Sequence, residues 1–129
     1  MFGDTSSTSK GETLVDTALN LEAMGASEIV IRCNEDDGPR NVADHVGVSV
    51  INAGSGTSGH PTQALLDALT LTRYLGTDDL DGQHIAIVGD IAHSRVARSN
   101  VQSMTTLGAI VTLVGPEDLL PNDLDVQTS

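Results

Sequence analysis

The sequence predicts an α/β fold of parallel sheets with flanking helices, as parts of two consecutive α/β domains joined by a helix. Helical patterns alternate with short apolar runs along the chain, which is typical of parallel α/β units. Only Phe2 and Tyr74 are aromatic and Trp is absent, so aliphatic side chains and Met must fill the core. Near the end of the chain, a strand, helix and strand follow one another over about 30 residues, the length of a crossover unit.

Seven elements are predicted before residue 77. Ser9, with Glu12 three residues later, has the pattern of a capping box, and Gly25 should end the helix that follows. Three glycines within residues 52–59 favour a loop over regular structure. The helix that starts at Pro61 has few polar residues, which predicts that it is buried. In chain order the elements are a helix at about 10–24, a strand at 28–32, an acidic loop at 34–39, a short helix at 41–45, a strand at 48–51, the glycine loop, and a helix that ends before Gly76.

A second unit begins after the acidic linker 77–82. Its first strand is nearly all apolar, which predicts burial on both faces. Ala97, Val101 and Met104 share one face of its helix, and Gly108 should end that helix. The predicted elements are a strand at 84–88, a helix at 94–107, a strand at 109–114 and an irregular tail at 122–129.

Charge and composition exclude several classes of function. The chain has 6 Lys and Arg against 18 Asp and Glu, a net charge of −12. Nucleic acids and anionic membranes bind basic surfaces, so neither is expected as a partner. The single cysteine, Cys33, predicts no intrachain disulfide and no thiolate metal site. No signal peptide or spanning segment is visible, and the expected location is cytoplasmic, with a soluble protein.

Two of the few cations lie where anions bind in α/β proteins. Lys10 stands in SSTSKGE before a predicted helix, whose free N–H groups attract phosphate or carboxylate. The alternative for this segment is a capped helix with a polar lead. Arg32 closes the strand EIVIR, and ligands bind beyond the carboxyl ends of parallel strands. Its alternative role is a surface ion pair with Glu35 or Asp36.

Two further motifs join a loop to a helix start. In GHPTQ, His60 can donate a hydrogen bond to a carbonyl or phosphate oxygen, and Gln63 can both accept and donate. His60 could equally cap its own loop. In GDIAHSRVARSN, Arg95 and Arg98 stand in the first turns of a helix, where a bound carboxylate would neutralise them. Pairing of Arg98 with an acid such as Asp90 is the alternative.

Motifs of two other enzyme classes are missing from the sequence. The strand at 84–88 is followed by GDIAHSR, which lacks the spaced glycines of a dinucleotide-binding turn. There is no G-x-S-x-G, and no histidine is placed to activate the cysteine as a nucleophile. Neither a dinucleotide cofactor nor hydrolase chemistry is therefore expected.

Three motifs, SSTSKGET, NAGSGTSGHPTQALLD and VGDIAHSRVARSN, resemble in this order the aspartate carbamoyltransferase catalytic chain, over about residues 4–116. The resemblance implies condensation of carbamoyl phosphate with L-aspartate to give N-carbamoyl-L-aspartate and phosphate, an early step of de novo pyrimidine (UMP) biosynthesis. It implies no metal, no cofactor and no covalent intermediate. Ornithine carbamoyltransferases share the ancestry but usually carry cysteine in place of Thr62, and their second-domain loop is unlike HSRVARSN, so the aspartate branch is favoured.

The resemblance also assigns roles to matching residues. Ser6 and Lys10 match a mobile loop that reaches into the neighbouring subunit's active site, where they would neutralise the phosphate. Arg32 matches an arginine that contacts carbamoyl phosphate and, with His60, would polarise the carbonyl oxygen. His60 and Gln63 match the residues that hold the carbamoyl group. A homotrimer of catalytic chains, with or without regulatory chains, is the implied assembly.

Arg95 matches the arginine that binds the aspartate carboxylate. With it, the implied substrate-binding residues are Ser6, Lys10, Arg32, His60, Gln63 and Arg95, of which Lys10, Arg32 and His60 are the catalytic candidates.

The sequence also departs from the family pattern. The family's upstream Ser-Thr-Arg-Thr-Arg phosphate motif and the downstream arginine and glutamine of the aspartate pocket are absent, and Ser55 stands where aspartate is more usual. An internal fragment of a longer chain is expected, with 1–76 as the end of the carbamoyl-phosphate-binding domain and its connecting helix, and 77–129 as the first unit of the aspartate-binding domain. The alternatives are a non-catalytic homologue or partner subunit and a plain anion-binding module.

Overall fold

The computed structural model describes residues 13–124 and 126–128, and it confirms an α/β fold with parallel sheets. These residues form two compact units that divide between Ser58 and Gly59. The first unit contains α1 (Leu14–Ala23), β1 (Glu28–Cys33), α2 (Gly38–Ala43) and β2 (Ser49–Ser55). The second contains α3 (Pro61–Leu75), β3 (His84–Val88), α4 (Arg95–Thr106), β4 (Ile110–Val114) and β5 (Gln127–Thr128). No helix within these ranges is long and apolar enough to cross a membrane.

The first unit is built on a two-stranded parallel sheet of β1 and β2. Ile29 and Ile31 alternate with exposed residues along β1, as the period of a strand requires. They pack with Ala18 of α1 and Val42 of α2 in one apolar core. Helices and sheet thus bury their apolar sides against each other.

The start of α1 differs from the sequence prediction. Thr13 is the N-cap: its hydroxyl accepts the N–H of Asp16 at 3.1 Å, and the Asp16 carboxylate accepts the N–H of Thr13 at 3.2 Å. The Thr13 hydroxyl also donates to the Asp16 carboxylate at 2.6 Å, and this hydrogen bond, together with the one from the Thr13 N–H, lowers the pKa of Asp16. Thr13 has extended backbone, so the helix cannot continue back through it, and the prediction of a start at residue 10 is wrong. Ser9 and Glu12, the predicted capping box, lie outside the described residues.

The short helix α2 begins three residues earlier than predicted, inside the segment assigned to a loop. Pro39 lies in its first turn, where the missing N–H of proline costs no helical hydrogen bond. Gly38 and Pro39 are both buried, so tertiary packing supports this start.

Strand β2 is longer than predicted, because it continues through Asn52 to Ser55 of the glycine-rich segment. Ile31 pairs with Asn52, whereas Cys33 pairs with Ser55, so β2 holds one residue more than β1 over this interval. Gly54 has a φ of 119° within this bulge, a conformation that suits glycine. The prediction that all of 52–59 is irregular is therefore wrong, and only the turn after Ser55 is irregular.

The second unit is a three-stranded parallel sheet in the order β3, β4, β5, and α4 connects β3 to β4. Ala97, Val101 and Met104 of α4 are buried as predicted, in a core with Val111 and Leu113 of β4. The Ser94 hydroxyl caps α4 by accepting the N–H of Ala97 at 3.1 Å. At the other end Gly108 has a φ of 92°, and a Cβ there would approach the Asp81 Cα to 2.9 Å. The predicted ends of α4 are therefore confirmed to within one residue.

Two predictions of burial in the second unit are wrong. Strand β3 is not buried on both faces, because His84, Ala86 and Val88 are exposed, Val88 to 72%. Helix α3 buries Ala64 and Ala68, but four of its five leucines are exposed, Leu65 to 67%. An apolar sequence can only be buried if other segments pack against it.

The predicted irregular tail also contains regular structure. Gln127 and Thr128 form β5, which pairs in parallel with Thr112 and Leu113 of β4. Two residues are too few for a periodicity, so the sequence alone gave no signal for this strand.

Candidate functional site

The turn after β2 is held by the carboxylate of Asp36. Its Oδ1 accepts the N–H of Thr57 at 2.6 Å and of Ser58 at 3.2 Å, and the Ser58 hydroxyl donates to the Asp36 carbonyl at 3.0 Å. Gly56, with a φ of 37°, leaves no room for a Cβ against the Asp36 carboxylate. The segment that leads to the HPTQ motif therefore has a defined backbone.

Ser55 is the buried polar residue of this turn, with 1% of its surface accessible. Its hydroxyl lies 3.0 Å from the Asn52 side-chain amide, which donates to it, and 3.0 Å from the Ser58 hydroxyl. The serine that departs from the family pattern is thus fully accommodated by neighbouring hydrogen bonds.

His60 is the N-cap of α3, so its ring caps the helix that follows rather than its own loop. Its Nδ1 accepts the N–H of Gln63 at 3.4 Å and lies 3.2 Å from the Thr62 hydroxyl. In a neutral imidazole, an accepting Nδ1 leaves the proton on Nε2. Capping therefore selects the tautomer in which Nε2 is a hydrogen-bond donor, and capping and substrate binding are compatible roles.

The backbone of His60 is also fixed. Its N–H donates to the hydroxyl of Ser99 on α4 at 2.8 Å. A Cβ on the preceding Gly59 would lie 3.3 Å from the same hydroxyl, so glycine permits this close approach. The histidine is thus held by α4 as well as by the turn of its own helix.

Gln63 belongs to a second contact between α3 and α4. Its Nε2 donates to Oδ1 of Asp67 at 2.8 Å, and Nδ2 of Asn100 donates to Oδ2 of the same carboxylate at 2.8 Å. The Asn100 Oδ1 is buried and has no hydrogen-bond partner within the described residues. One carboxylate therefore joins the HPTQ motif to α4.

Arg95 and Arg98 have different settings at the start of α4. Arg95 is the first residue of the helix and is half-buried. Arg98 donates from Nη1 and Nη2 to the carboxylate of Asp123, at 2.7 and 3.3 Å. This hydrogen bonding lowers the pKa of Asp123 and raises that of Arg98. The acid that neutralises Arg98 thus comes from the chain itself.

Asp90, the acid named from the sequence as a possible partner of Arg98, does not pair with it. Asp90 lies instead beside His93, with 2.8 Å between Oδ1 and the imidazole Nδ1. The hydrogen bond with His93 lowers the pKa of Asp90. Because His93 is only three residues from Asp90, the carboxylate pairs with this local partner and not with Arg98 on the helix.

Arg32 lies within β1, whose last residue is Cys33, and its side chain is exposed. Among the described residues it forms no ion pair with Glu35 or Asp36, the alternative raised by the sequence. Asp36 instead binds the turn after β2. Ser6 and Lys10 lie outside the described residues.

Sequence reasoning missed three residues that hold the HPTQ motif, Asp67 and Ser99 by direct hydrogen bonds and Asn100 through Asp67. Asp67 stands four residues after Gln63, a spacing at which helical side chains meet, so a helix pattern could have identified it. Ser99 bonds the His60 backbone and Asn100 bonds Asp67, each from another helix more than 30 residues along the chain, and no sequence pattern indicates these contacts.

Comparison with known proteins identifies relatives of the whole segment. The profile of the family described as aspartate/ornithine carbamoyltransferase, carbamoyl-P binding domain, matches residues 2–73. An aspartate carbamoyltransferase catalytic subunit of Acidothermus cellulolyticus is 62% identical over 90% of this chain and 35% of its own length. The corresponding subunit of Thermobifida fusca is 60% identical over 93% of this chain and 38% of its own length.

A solved structure of an aspartate transcarbamoylase has a similar fold. Aspartate transcarbamoylase from Trypanosoma cruzi, in complex with carbamoyl phosphate and aspartate, superposes with a TM-score of 0.84 at 28% identity, over 100% of this chain and 47% of that one. This chain thus spans between one third and one half of the length of these relatives. Because the family profile covers more than half of the residues and includes the HPTQ segment, the chain belongs to the aspartate/ornithine carbamoyltransferase family.

Proposed function

We propose that this segment is part of a longer catalytic chain that transfers the carbamoyl group of carbamoyl phosphate to L-aspartate. The products would be N-carbamoyl-L-aspartate and phosphate, as in an early step of pyrimidine biosynthesis in the cytoplasm. The observation that carries the proposal is the HPTQ motif, where capping fixes the tautomer of His60 and Asp67 fixes the amide of Gln63. The relatives named aspartate carbamoyltransferase, at about 60% identity, support the aspartate branch.

His60 has the role of oxyanion donor in this proposal. The Nε2–H would donate to the carbonyl oxygen of carbamoyl phosphate and strengthen that hydrogen bond as negative charge develops. Because Nδ1 is already engaged by the start of α3, the ring needs no reorganisation during the reaction. Arg32 would add positive charge to the same oxygen.

The reaction forms one bond and breaks another. The uncharged aspartate amine attacks the carbamoyl carbon to give a tetrahedral oxyanion, whose collapse breaks the C–O bond to phosphate. The proton lost from the amine leaves with the phosphate. Two anionic substrates must be held together for this step, so most of the catalysis comes from positioning and fixed positive charge. Ser6 and Lys10, from an adjacent subunit, would neutralise the phosphate.

The proposal also assigns the residues of this chain to two domains. Residues 1–76 would be the end of the carbamoyl-phosphate-binding domain with its connecting helix, and 77–129 the first unit of the aspartate-binding domain. The match of the carbamoyl-P binding domain profile to residues 2–73 supports the first assignment. The compact units divide between Ser58 and Gly59 instead, so α3, the proposed connecting helix, packs with α4 in the second unit.

The assay that tests the proposal uses the full-length chain, meaning the longer polypeptide that contains this segment. Purified full-length chain is incubated with carbamoyl phosphate and either L-aspartate or L-ornithine, and the carbamoylated product and phosphate are measured. We expect stoichiometric N-carbamoyl-L-aspartate and phosphate with aspartate, and no product above background with ornithine. Transfer to ornithine instead would assign the other branch of the family, and transfer to neither would support the non-catalytic partner.

Arg95 is the proposed clamp for the aspartate carboxylate. We expect Arg95→Ala in the full-length chain to raise the KM for aspartate by roughly tenfold to a hundredfold, the effect of a lost hydrogen bond to a charged group. The KM for carbamoyl phosphate should change little. Arg95→Lys, which keeps the charge but loses the planar guanidinium, should lie between. A loss of turnover with unchanged dependence on aspartate would contradict this role.

In the homotrimer that the family resemblance implies, each active site would be shared between neighbouring subunits. Lys10→Ala and His60→Ala should each inactivate the full-length chain, but mixed trimers of the two contain sites with an intact Lys10 from one subunit and an intact His60 from its neighbour. Random assortment in a ring should restore on the order of a quarter of the activity. No recovery after subunit exchange, demonstrated by mass spectrometry of differently labelled chains, would exclude a shared site.

A further inference from the structure

The carboxylate of Asp67 determines which way the Gln63 amide faces. A carboxylate only accepts hydrogen bonds, so the atom of Gln63 that lies 2.8 Å from Asp67 Oδ1 must be the amide nitrogen. The Gln63 Oε1 is then the atom at the other end of the amide. The oxygen and nitrogen ends of the Gln63 amide have the same shape. Without the Asp67 carboxylate, this contact would therefore not distinguish the amide from its flipped orientation.

Asn100 holds the carboxylate itself. Its Nδ2 donates to Asp67 Oδ2 at 2.8 Å, so both carboxylate oxygens have a donor and the side chain is tied to α4 as well as to α3. Ser99, the preceding residue on α4, holds the backbone of His60. Two adjacent residues of one helix therefore position both ends of the HPTQ motif.

We propose that Asp67, held by Asn100, is a positioning residue that fixes Gln63 with Oε1 as a hydrogen-bond acceptor, and so selects a ligand with an N–H group on the transferred carbon. The inference rests on the proposed function. Carbamoyl phosphate carries an amino group on the transferred carbon, whereas acetyl phosphate carries a methyl group of similar size there. Gln63 Oε1 can accept a hydrogen bond from the amino group but not from the methyl group, so it distinguishes the two ligands. A flipped Gln63 amide would remove this distinction.

The test compares the two ligands in the full-length chain. The KM for carbamoyl phosphate is measured together with the inhibition constant of acetyl phosphate as a competitive inhibitor, and the ratio of the second to the first reports selection for the amino group. For Asp67→Ala and Asp67→Asn we expect this ratio to fall by roughly tenfold, the effect of one lost hydrogen bond. The inhibition constant of acetyl phosphate should change little, since it makes no such bond.

A reciprocal exchange separates orientation from packing. In Asn100→Asp two carboxylates face each other, and we expect the ratio to fall as well. In the double variant Asp67→Asn/Asn100→Asp, the new carboxylate at position 100 accepts from the amide nitrogen at position 67. The amide oxygen at position 67 then faces Gln63 and again requires the Gln63 nitrogen there. We therefore expect the double variant to recover most of the ratio that either single variant loses.

Gln102→Ala, an exposed position on α4, is the matched control and should leave both constants unchanged. Thermal melts of every variant identify any loss of fold. An equal rise of both constants in the Asp67 variants would contradict the proposal and assign Asp67 a purely structural role. Failure of the double variant to recover the ratio, with its fold intact, would also contradict it. Absence of carbamoyl transfer in the unsubstituted full-length chain would instead overturn the proposed function.

Discussion

We expect His60→Asn in the full-length chain to lower kcat by roughly a hundredfold to a thousandfold while the protein melts close to the temperature of the unsubstituted chain. The two effects separate because the proposal gives His60 two functions, one on each ring nitrogen. Nδ1 accepts the N–H of Gln63 at the start of α3, and asparagine is among the best residues at an N-cap. No atom of asparagine can replace Nε2 as a donor at the same distance from the helix.

His60→Ala is the matched control for the cap. It removes both functions, so it should lose as much kcat as His60→Asn and also destabilise the protein by about 1 kcal/mol. Steady-state kinetics and denaturant unfolding of the three proteins check both expectations. If His60→Asn retained most of the turnover, His60 would be a helix cap only and the proposed donor would have to be another group.

The second large effect concerns the 129 residues expressed alone, which we expect to show no measurable carbamoyl transfer. They span 35% of the length of the Acidothermus relative, and the phosphate-binding arginine motif and the second half of the aspartate pocket are not in this sequence. The loss of one oxyanion or phosphate donor already costs on the order of a hundredfold in rate. Several lost together should leave no detectable activity.

The same segment should self-associate. Val88 of β3 is 72% exposed, and Leu65 and Tyr74 of α3 are exposed to 67% and 88%. Apolar faces of this kind favour contacts with other copies. Sedimentation analysis and a thermal melt check this expectation alongside the activity assay. A monomer that melts cooperatively and turns over carbamoyl phosphate and aspartate would contradict the account of the site as incomplete.

The elements that the sequence predicted best are those whose signals are local. Helix α4 has a serine cap, a glycine stop and three apolar residues on one face, and all three of those residues are buried. Helix α3 similarly begins at Pro61 and ends before Gly76, which has a φ of 70°. In both helices, capping and periodicity indicate the same limits, so neither needs tertiary information.

The errors arise where distant segments decide the structure. Asn52 to Ser55 form a strand because they pair with β1 across a bulge, although glycines favour a turn there. Val88 is exposed because no described segment covers that face of β3. The hydropathy of a strand does not show whether another segment packs against it.

Prediction of the candidate site divides in the same way. The sequence and the family resemblance identified His60 and Gln63, because the HPTQ motif is contiguous. The sequence could not identify all the residues that orient His60 and Gln63, because Ser99 and Asn100 approach from another helix. The dual role proposed for His60 depends on a hydrogen bond from Gln63, which only a structure can locate.

A crystal structure of the full-length chain with carbamoyl phosphate tests the central claim most directly, namely that the HPTQ motif at the start of α3 holds the carbamoyl group. We expect the carbonyl oxygen to lie about 3 Å from Nε2 of His60 and the amino nitrogen about 3 Å from Oε1 of Gln63. Nδ1 of His60 should still face the N–H of Gln63, and Asp67 should still face the Gln63 nitrogen. A carbamoyl group bound away from these two side chains, or bound with its oxygen and nitrogen exchanged, would contradict the account.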